Sequence, residues 1–198
     1  MEHVKTNVTS SELDIDALLE GNPDEFEKLV RQESARLFRI IARLIGDDSE
    51  AESIMQETYL QAFQRLHTFR RESKFTTWLY AIGINLARAQ RRKLSRTVPL
   101  GDQDIEQMQP TFSRGMYREQ PESWDPQKIA LKNERKSLVH EAIDKLPSDY
   151  RTVLLLRDIE EHSTDDVALM LEISSGAVRV RLHRARQALK KLLDPHFR

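Results

Sequence analysis

Apolar side chains recur at helical spacing through most of the chain, and no stretch shows the alternation that a strand requires. In the first half this pattern predicts three helices, over about residues 22–44, 49–66 and 76–95. Asn22 followed by Pro23 is typical of a helix start, with the asparagine as N-cap. Ser49, with Glu52 three residues later, predicts a capping box for the second helix. The first half is therefore predicted to be a helical bundle.

The second half repeats this organisation with helices expected over about residues 126–146, 149–156, 163–171 and 175–193. Asp125-Pro126 predicts the start of the first of these, and Pro147 ends it. Ser148 is the predicted N-cap of the next helix. Ser163, with Asp166 three residues on, is the predicted N-cap of the one after. The pattern as a whole predicts an all-α fold.

Between the two halves, residues 97–127 carry four of the seven prolines and six acidic against two basic residues, without a sustained helical period. A structureless stretch of this length inside one compact domain would be unusual. We therefore expect an acidic, mostly extended and flexible linker between two small domains. The predicted organisation is an acidic N-terminal tail over residues 1–21, a first domain over 22–96, the linker over 97–127 and a second domain over 128–198.

Charge is distributed unevenly, although the 198 residues sum to a formal net charge of -1. Residues 1–30 hold eight acids and two lysines. Residues 86–96 hold five basic residues and residues 174–193 hold six, neither stretch with an acid. Two basic patches on a neutral chain are expected of a protein that contacts phosphate at two places. The chain has no cysteine, which excludes disulfides and thiolate metal sites.

The last two predicted helices form a candidate helix-turn-helix. A short capped helix ends at Leu171, residues 172–174 make a tight connector, and the long helix that follows carries an apolar stripe beside a basic face. The second helix of such a motif enters the major groove, where the planar fork of arginine suits guanine. For one basic helix alone, an ordinary solvated amphipathic helix is the alternative. The capped helix and tight turn before it favour DNA binding.

Aromatic and basic residues also adjoin in the first half. Residues 75–88 include Trp78 and lead directly into Arg91-Arg92-Lys93. Flat rings for stacking beside positive charge for the backbone are what single-stranded nucleic acid requires. Trp78 is equally compatible with a core position, because Leu79 and Ile82 lie near it at helical spacing.

These segments resemble extracytoplasmic-function sigma factors of the sigma-70 family, which give bacterial RNA polymerase its promoter specificity. Residues 75–92 resemble the segment that reads and melts the -10 element, with the pattern F-x-T-W-L-x-x-I-x-x-N. Residues 51–59 resemble the upstream helix that docks on the polymerase. Residues 146–157, 167–168 and 176–186 resemble the domain that reads the -35 element. The resemblance implies a sigma-2-like bundle and a sigma-4-like helix-turn-helix domain that together direct transcription initiation.

The resemblance also assigns roles residue by residue. The helix that docks on the clamp helices of the largest polymerase subunit would use Glu52, Ile54, Met55, Gln56 and Glu57. A flipped base of the melted -10 strand and its phosphates would meet His67, Phe69, Arg70, Arg71, Lys74, Trp78, Asn85, Arg88, Arg91 and Arg92. The duplex at -35 would meet Ser175, Arg179, Val180, Arg181, His183, Arg184 and Arg186. The flap of the second-largest subunit is a further expected contact.

Several positions depart from the residues usual in this family. Glu172 stands in the tight turn where glycine is usual, so the turn has to bend in another way. Ala177 replaces a threonine, Ala89 replaces an aspartate, and Gly83 is unusual in its helix. Val180 replaces a small polar residue and is suited to contact a thymine methyl. These departures concern which promoter is read more than the function itself.

No residue set indicates an enzyme. The six histidines lack metal-ligand spacing, and no glycine-rich phosphate loop or nucleophile–base pair is present. We therefore expect no catalytic residue, metal or cofactor. Without a secretory signal or a long apolar run, we expect a cytoplasmic protein with no membrane insertion, which an anti-sigma factor could hold at the membrane.

The expected partners are core RNA polymerase, promoter DNA and an anti-sigma factor. Two alternatives of other classes remain. A sigma-shaped mimic would titrate an anti-sigma factor without starting transcription, and an ordinary helix-turn-helix repressor would leave the first half without a purpose.

Overall fold

The computed structural model describes residues 13–94, 102–109, 112–113, 116–117 and 132–196. Its helices are α1 (Ile15–Leu19), α2 (Pro23–Ile45), α3 (Asp48–Gln64), α4 (Phe75–Leu94), α5 (Asp102–Gln107), α6 (Lys132–Asp144), α7 (Ser148–Leu154), α8 (Thr164–Leu171) and α9 (Ser175–Leu193). Strand in the described ranges is limited to an antiparallel pair, β1 (Phe112–Ser113) and β2 (Met116–Tyr117). The predicted all-α fold class is confirmed.

Local sequence signals decide where several helices begin. The side-chain oxygen of Asn22 caps α2 and the hydroxyl of Ser163 caps α8, as predicted. The predicted cap at Ser49 is wrong, because α3 begins one residue earlier and is capped by the carboxylate of Asp47. Ser148 is not a cap either but the first residue of α7. Aspartate caps a helix as well as serine does, so the pattern alone could not separate neighbouring candidates.

Parts of the predicted tail and linker are ordered as helices. Helix α1 lies within the predicted acidic tail, and its Leu18 is fully buried. Helix α5 and the β1–β2 pair lie within the predicted linker, which is therefore not simply extended. Ile105 of α5 is fully buried. Burial of this apolar side chain favours docking of α5, although the surrounding stretch is acidic. The predicted helix start at residues 125–126 lies outside the described residues.

The first-half bundle packs α2, α3 and α4 against one another. A Cβ at Gly83 of α4 would lie 3.1 Å from both the Leu37 side chain of α2 and the Thr58 hydroxyl of α3. Thr58 is fully buried, and its hydroxyl donates to the Ile54 carbonyl at 2.7 Å. The unusual glycine is thus a packing residue, which lets three helices approach closely.

The second half packs α7, α8 and α9 around fully buried Val153, Val167 and Val178, one from each helix. Arg151 of α7 is 1% exposed and donates to the Asp144 carboxylate at 3.1 Å, which ties α7 to the end of α6.

Helix α7 continues into a wider π-helical turn over Leu155–Ile159. The backbone N–H of Glu160 there donates to the Leu155 carbonyl, five residues back, at 3.0 Å. The turn ends with the Glu160 side chain buried.

The two halves pack into one continuous hydrophobic core, with α4 lying against α8. The Thr77 hydroxyl of α4 donates to the Asp166 carboxylate of α8 at 3.0 Å. The Tyr80 and His162 rings meet edge to face, with centroids 5.5 Å apart. The two halves therefore contact each other directly, in addition to the chain segment that connects them.

Candidate nucleic-acid interface

Contacts at the turn between α8 and α9 fix the angle of the long helix. Ser174 caps α9 by accepting from the backbone N–H of Ala177 at 3.1 Å. Ser175, one of the predicted -35 residues, donates its hydroxyl to Asp165 of α8 at 2.6 Å. Glu172 adopts a left-handed conformation with φ 54°. The turn therefore bends as a glycine turn does, with a side chain where glycine is normally favoured.

One edge of α9 is open to solvent. Arg179, Val180 and His183 are exposed there, and Val180 is 53% exposed. Within the described part of the chain, no carboxylate forms an ion pair with Arg179. The opposite face buries Val178 and Leu182 in the core. A guanidinium, a branched apolar side chain and an imidazole therefore share a convex helix edge of the kind that enters a major groove.

Three further cations of α9 are engaged by carboxylates. The pairs are Arg181 with Asp149 at 3.3 Å, Arg184 with Glu106 at 3.1 Å and Arg186 with Asp158 at 2.6 Å. Arg186 also donates its Nε to Asp158 at 2.8 Å, which makes that pair bidentate. The predicted -35 set thus divides into an open edge and a paired group that DNA would have to compete for.

The predicted -10 region contains an aromatic cluster at the start of α4. Phe69, Phe75 and Trp78 pack with ring centroids 5.1 to 5.7 Å apart. Trp78 is partly buried in this cluster and borders a cleft of about 230 Å³. Residues 68–70, 72 and 73 line one side of the cleft, and Leu169 and Glu172 of the helix-turn-helix line the other. Trp78 is therefore both a packing residue and a wall of the cleft.

Charged residues surround this cleft. His67, Arg70 and Lys74 are exposed along the loop before α4. Arg71 has a positive φ of 60° and forms an ion pair with Asp16 of α1. The ordered part of the predicted tail thus contacts the predicted -10 loop.

The basic residues at the end of α4 lie in different environments. Asn85 and Arg92 are exposed. Arg88 is mostly buried and pairs with Asp149 of α7 at 2.5 Å. Arg91 is half-buried and donates to a backbone carbonyl at the end of α2, and burial lowers the pKa of its guanidinium. Of these three arginines, Arg92 is the exposed one. Sequence reasoning treated all three alike.

The predicted docking residues occupy two faces of α3. Glu52, Gln56 and Glu57 are exposed, whereas Ile54 is buried and Met55 is partly buried in the bundle. The first three are thus placed to meet a partner, and the other two position the helix.

Two apolar residues extend this exposed face of α3. Leu60 is 52% exposed and Phe63 is 48% exposed, at helical spacing from Glu52 and Gln56. The docking residues predicted from the sequence include neither Leu60 nor Phe63. Their exposure provides the apolar centre that a protein-docking surface needs.

A buried ion cluster joins the two halves, and sequence reasoning missed it. The side chain of Glu160 is 5% exposed and pairs with Arg43 of α2. Arg36 of α2 lies 3.8 Å from the same carboxylate and donates to the Glu160 carbonyl at 2.7 Å. Glu160 lies 124 positions from Arg36 and 117 from Arg43, so no local pattern could have paired them.

Burial at the same junction perturbs two titratable groups. Desolvation, with the nearby charge of Arg36, lowers the pKa of His162 to about 4. Burial alone would raise the pKa of Asp166, but hydrogen bonds from Ser163 and Thr77 outweigh burial and lower it. A neutral imidazole and an ionised carboxylate therefore lie side by side between α4 and α8.

Neither a metal-binding group nor a membrane span emerges from the described residues. No group of three or more histidine or acidic side chains there is arranged to hold a metal ion. None of the helices described is long and apolar enough to cross a bilayer.

Fold and surface together define a helix-turn-helix DNA-binding protein with an aromatic-lined cleft beside the motif. Residues 29–97 match the family Sigma-70 region 2, and residues 136–189 match Sigma-70, region 4. The chain is 33% identical over 184 residues to the RNA polymerase sigma-H factor of Pseudomonas aeruginosa, covering 93% of this chain and 94% of that one. It is 27% identical over 184 residues to the ECF RNA polymerase sigma-E factor of Escherichia coli K12, again covering 93% of this chain and 94% of that one. The chain belongs to the sigma-70 family, as a sigma factor of the extracytoplasmic-function class.

Solved structures support the same fold. CnrH in complex with the cytosolic domain of CnrY superimposes with a TM-score of 0.64 at 24% identity, covering 92% of this chain and 99% of that one. The sigma factor RpoE of Bartonella quintana, in complex with the anti-sigma factor NepR, superimposes with a TM-score of 0.60 at 23% identity. The match covers 86% of this chain and 97% of that one.

Proposed function

We propose that this sigma factor binds core RNA polymerase and directs it to promoters by reading duplex DNA at -35 and single-stranded DNA at -10. The observation that carries the proposal is the open edge of α9, where Arg179, Val180 and His183 are exposed. This helix is the second of the helix-turn-helix, and hydrogen bonds at the turn hold it in place. The Arg179 guanidinium suits guanine, and the Val180 side chain suits a thymine methyl. The expected binding region is residues 128–198.

The -10 element would be read within residues 22–96, at the cleft beside Trp78. Its aromatic wall, formed by Phe69 and Trp78, suits the stacking of one unstacked base. Arg70, which lines the cleft, would contact the adjacent backbone, as would His67 and Lys74, which are exposed in the same loop before α4. Catalysis would belong to the polymerase, and strand opening would draw on the binding free energy of captured bases.

Polymerase docking would centre on the exposed face of α3. Glu52, Gln56 and Glu57 supply a polar rim, and Leu60 and Phe63 supply an apolar centre. The clamp helices of the largest subunit are the proposed partner for this face, and the flap of the second-largest subunit is proposed for the second half. A cytoplasmic location is part of the same proposal.

Control by an anti-sigma factor is a second element of the proposal. Two structural neighbours were solved as complexes, CnrH with the cytosolic domain of CnrY and the sigma factor RpoE with the anti-sigma factor NepR. A partner that covered α3 would compete directly with polymerase. Purification from the native host should recover such a protein, and recovery of polymerase subunits alone would argue against it.

The test of the function is transcription in vitro. Purified core polymerase, this protein and a pool of host genomic fragments should yield discrete transcripts that are absent without the protein. Arg179→Ala should reduce them about fivefold or more, because one guanidinium–guanine contact contributes about 1–3 kcal/mol. Its affinity for core polymerase should be unchanged, because Arg179 is not part of the proposed docking face on α3.

Arg31→Ala is the matched control, since Arg31 is an exposed helical arginine whose side chain is 78% accessible and pairs with Glu27 of the same helix. It should transcribe as the wild type does. Discrete transcripts that survive Arg179→Ala would contradict the assignment of α9. Polymerase binding without any transcript would favour a sigma-shaped mimic, and operator binding without polymerase would favour a repressor.

A further inference from the structure

The loop that leads into α4 contains one residue in an unusual conformation. Residues 67–74, called the -10 loop below, hold several of the residues predicted to read the -10 element. Arg71 lies in this loop and has a φ of 60°. A residue with a Cβ rarely adopts a positive φ, so the contacts around Arg71 have to hold the backbone in this conformation.

Arg71 is turned toward α1 and does not line the cleft that its neighbours line. Arg70 and Glu72 both border the cleft beside Trp78, whereas Arg71 between them does not. The Arg71 guanidinium instead forms an ion pair with the Asp16 carboxylate of α1. The conformation of this one residue therefore decides which side chains of the -10 loop face the cleft.

Helix α1 is a fixed support for this contact. Its Leu18 is fully buried, and the Asp14 carboxylate caps the helix by accepting from the backbone N–H of Asp16 at 3.0 Å. The backbone N–H of Asp14 donates to the Glu25 carboxylate of α2 at 3.0 Å. Helix α1 also packs against the 3₁₀ turn over Leu66–Thr68, where the -10 loop begins. Asp16 is thus held in place relative to both α2 and the start of the loop.

We propose that Asp16 is a positioning residue for recognition of the -10 element. Through Arg71 it holds the -10 loop in the orientation in which Arg70 and Glu72 face the captured base. The inference rests on the proposed function, because that function places a base in the cleft. It gives the N-terminal segment a role in promoter choice, and it makes Arg71 a brace of the loop instead of a phosphate contact.

The exposure of the ion pair sets the size of the expected effect. The side chains of Arg71 and Asp16 are 55% and 76% exposed, so water screens the pair. Exposed pairs of this kind shift an equilibrium by up to about fivefold. Loss of the pair should leave the domain folded, because the buried Leu18 still holds α1. It should lower the fraction of molecules whose -10 loop is correctly oriented, and with that fraction the discrimination among bases.

The experiment compares Asp16→Asn with the matched control Asp24→Asn in the full chain. Both aspartates are exposed and each is the second residue of its helix, so both substitutions remove one charge from a first turn. The carboxylate that pairs with the loop is that of Asp16. A third variant combines Asp16→Arg with Arg71→Asp, which reverses both charges and should restore the ion pair.

The first measurement is the mobility of the -10 loop in the free protein. Because the chain has no cysteine, Glu72→Cys provides a single site for a nitroxide label whose spectrum reports local motion. Asp16→Asn should increase the mobile fraction of the label about twofold or more, and charge reversal should return it toward the wild-type value. Asp24→Asn should match the wild type. A spectrum that Asp16→Asn leaves unchanged would overturn the proposal.

The second measurement is base preference in transcription with core polymerase. The template is a promoter recovered from the genomic fragments, with each position of its -10 and -35 elements randomised in turn. Asp16→Asn should reduce the preference for the best base at one or more -10 positions about twofold to fivefold and leave the -35 preferences unchanged. Charge reversal should recover the preference, whereas a merely structural role would lower all transcripts alike.

Two results of this measurement would overturn the proposal. One is a set of -10 preferences that Asp16→Asn leaves unchanged. The other is a uniform gain in transcripts, which is expected if Asp16 only shields a phosphate contact of Arg71.

If Asp16→Asn does not fold, Arg71→Gln breaks the same pair from the side of the loop and is judged by label mobility. An unchanged spectrum in that variant would equally overturn the proposal. The label measurement involves no polymerase. A loop that loosens as expected in a chain that never initiates transcription would therefore refute the proposed function and not the hold of Asp16 on the loop.

Discussion

The buried Glu160 carboxylate provides the sharpest test of how the two halves are held together. Its side chain is 5% exposed, whereas the side chains of its partners Arg43 and Arg36 are 32% and 43% exposed. Removing a cation leaves a buried negative charge poorly compensated. Removing the carboxylate leaves two cations that water can reach. We therefore expect the two kinds of substitution to differ strongly in cost.

Arg43→Met should destabilise the protein by about 2–3 kcal/mol. Breaking a fully buried pair costs about 3–5 kcal/mol, and the remaining Arg36, 3.8 Å from the carboxylate, reduces that figure. Glu160→Gln should cost only about 0.5–1.5 kcal/mol, because the amide keeps the shape and the backbone carbonyl still accepts from Arg36. The double variant should lie near Glu160→Gln, since the buried charge is then gone.

The assay is urea unfolding followed by far-ultraviolet circular dichroism at neutral pH. Arg39→Met is the control, because Arg39 is an exposed arginine on the same helix, and it should change the free energy of unfolding by less than about 0.5 kcal/mol. If Glu160→Gln proved as costly as Arg43→Met, the reasoning from unequal burial would be refuted.

Three further outcomes are expected from urea unfolding. Gly83→Ala should destabilise by about 1–3 kcal/mol because its Cβ would enter the three-helix contact, whereas Gly176→Ala, with space around it, should be neutral or slightly stabilising. Because the pKa of His162 is lowered to about 4, its neutral form favours folding, so stability should be full above about pH 6.5 and should decline toward pH 4. That decline, about 1–2 kcal/mol after allowance for partial exposure, should disappear in His162→Phe and persist in His140→Phe. Glu172→Gly should stabilise by about 0.5–1 kcal/mol by relieving the left-handed turn, and a loss of stability would show that the side chain matters there.

Structural features that depend on a few neighbouring residues could be predicted from the sequence. The caps at Asn22 and Ser163 and the limits of α9 depend on contacts within one turn of helix, and they are found where the pattern placed them. Glu172 was recognised as an unusual turn residue, and its backbone shows how the turn bends. The cap of α3 was misplaced because Asp47 and Ser49 are both good capping residues.

Contacts between distant positions had no such signal. Glu160 and Arg43 are 117 positions apart, and Arg88 and Asp149 are 61 apart, so neither pairing leaves a periodic pattern in the sequence. Composition predicted a linker over residues 97–127, but it could not indicate that Ile105 would be buried. The same limit applies to Leu60, since an exposed leucine and a buried one look alike in a helical stripe.

The π-helical turn at Leu155–Ile159 determines the direction around the helix axis in which the residues that follow it point. A turn closed by a hydrogen bond five residues back holds one residue more than an α-helical turn, and each residue contributes about 100° of rotation around a helix. Deleting one residue here would restore regular winding and turn Glu160 about a quarter of a circle away from α2. The angle at which the promoter-reading helices meet the rest of the molecule therefore depends on the number of residues in this turn as much as on their identity.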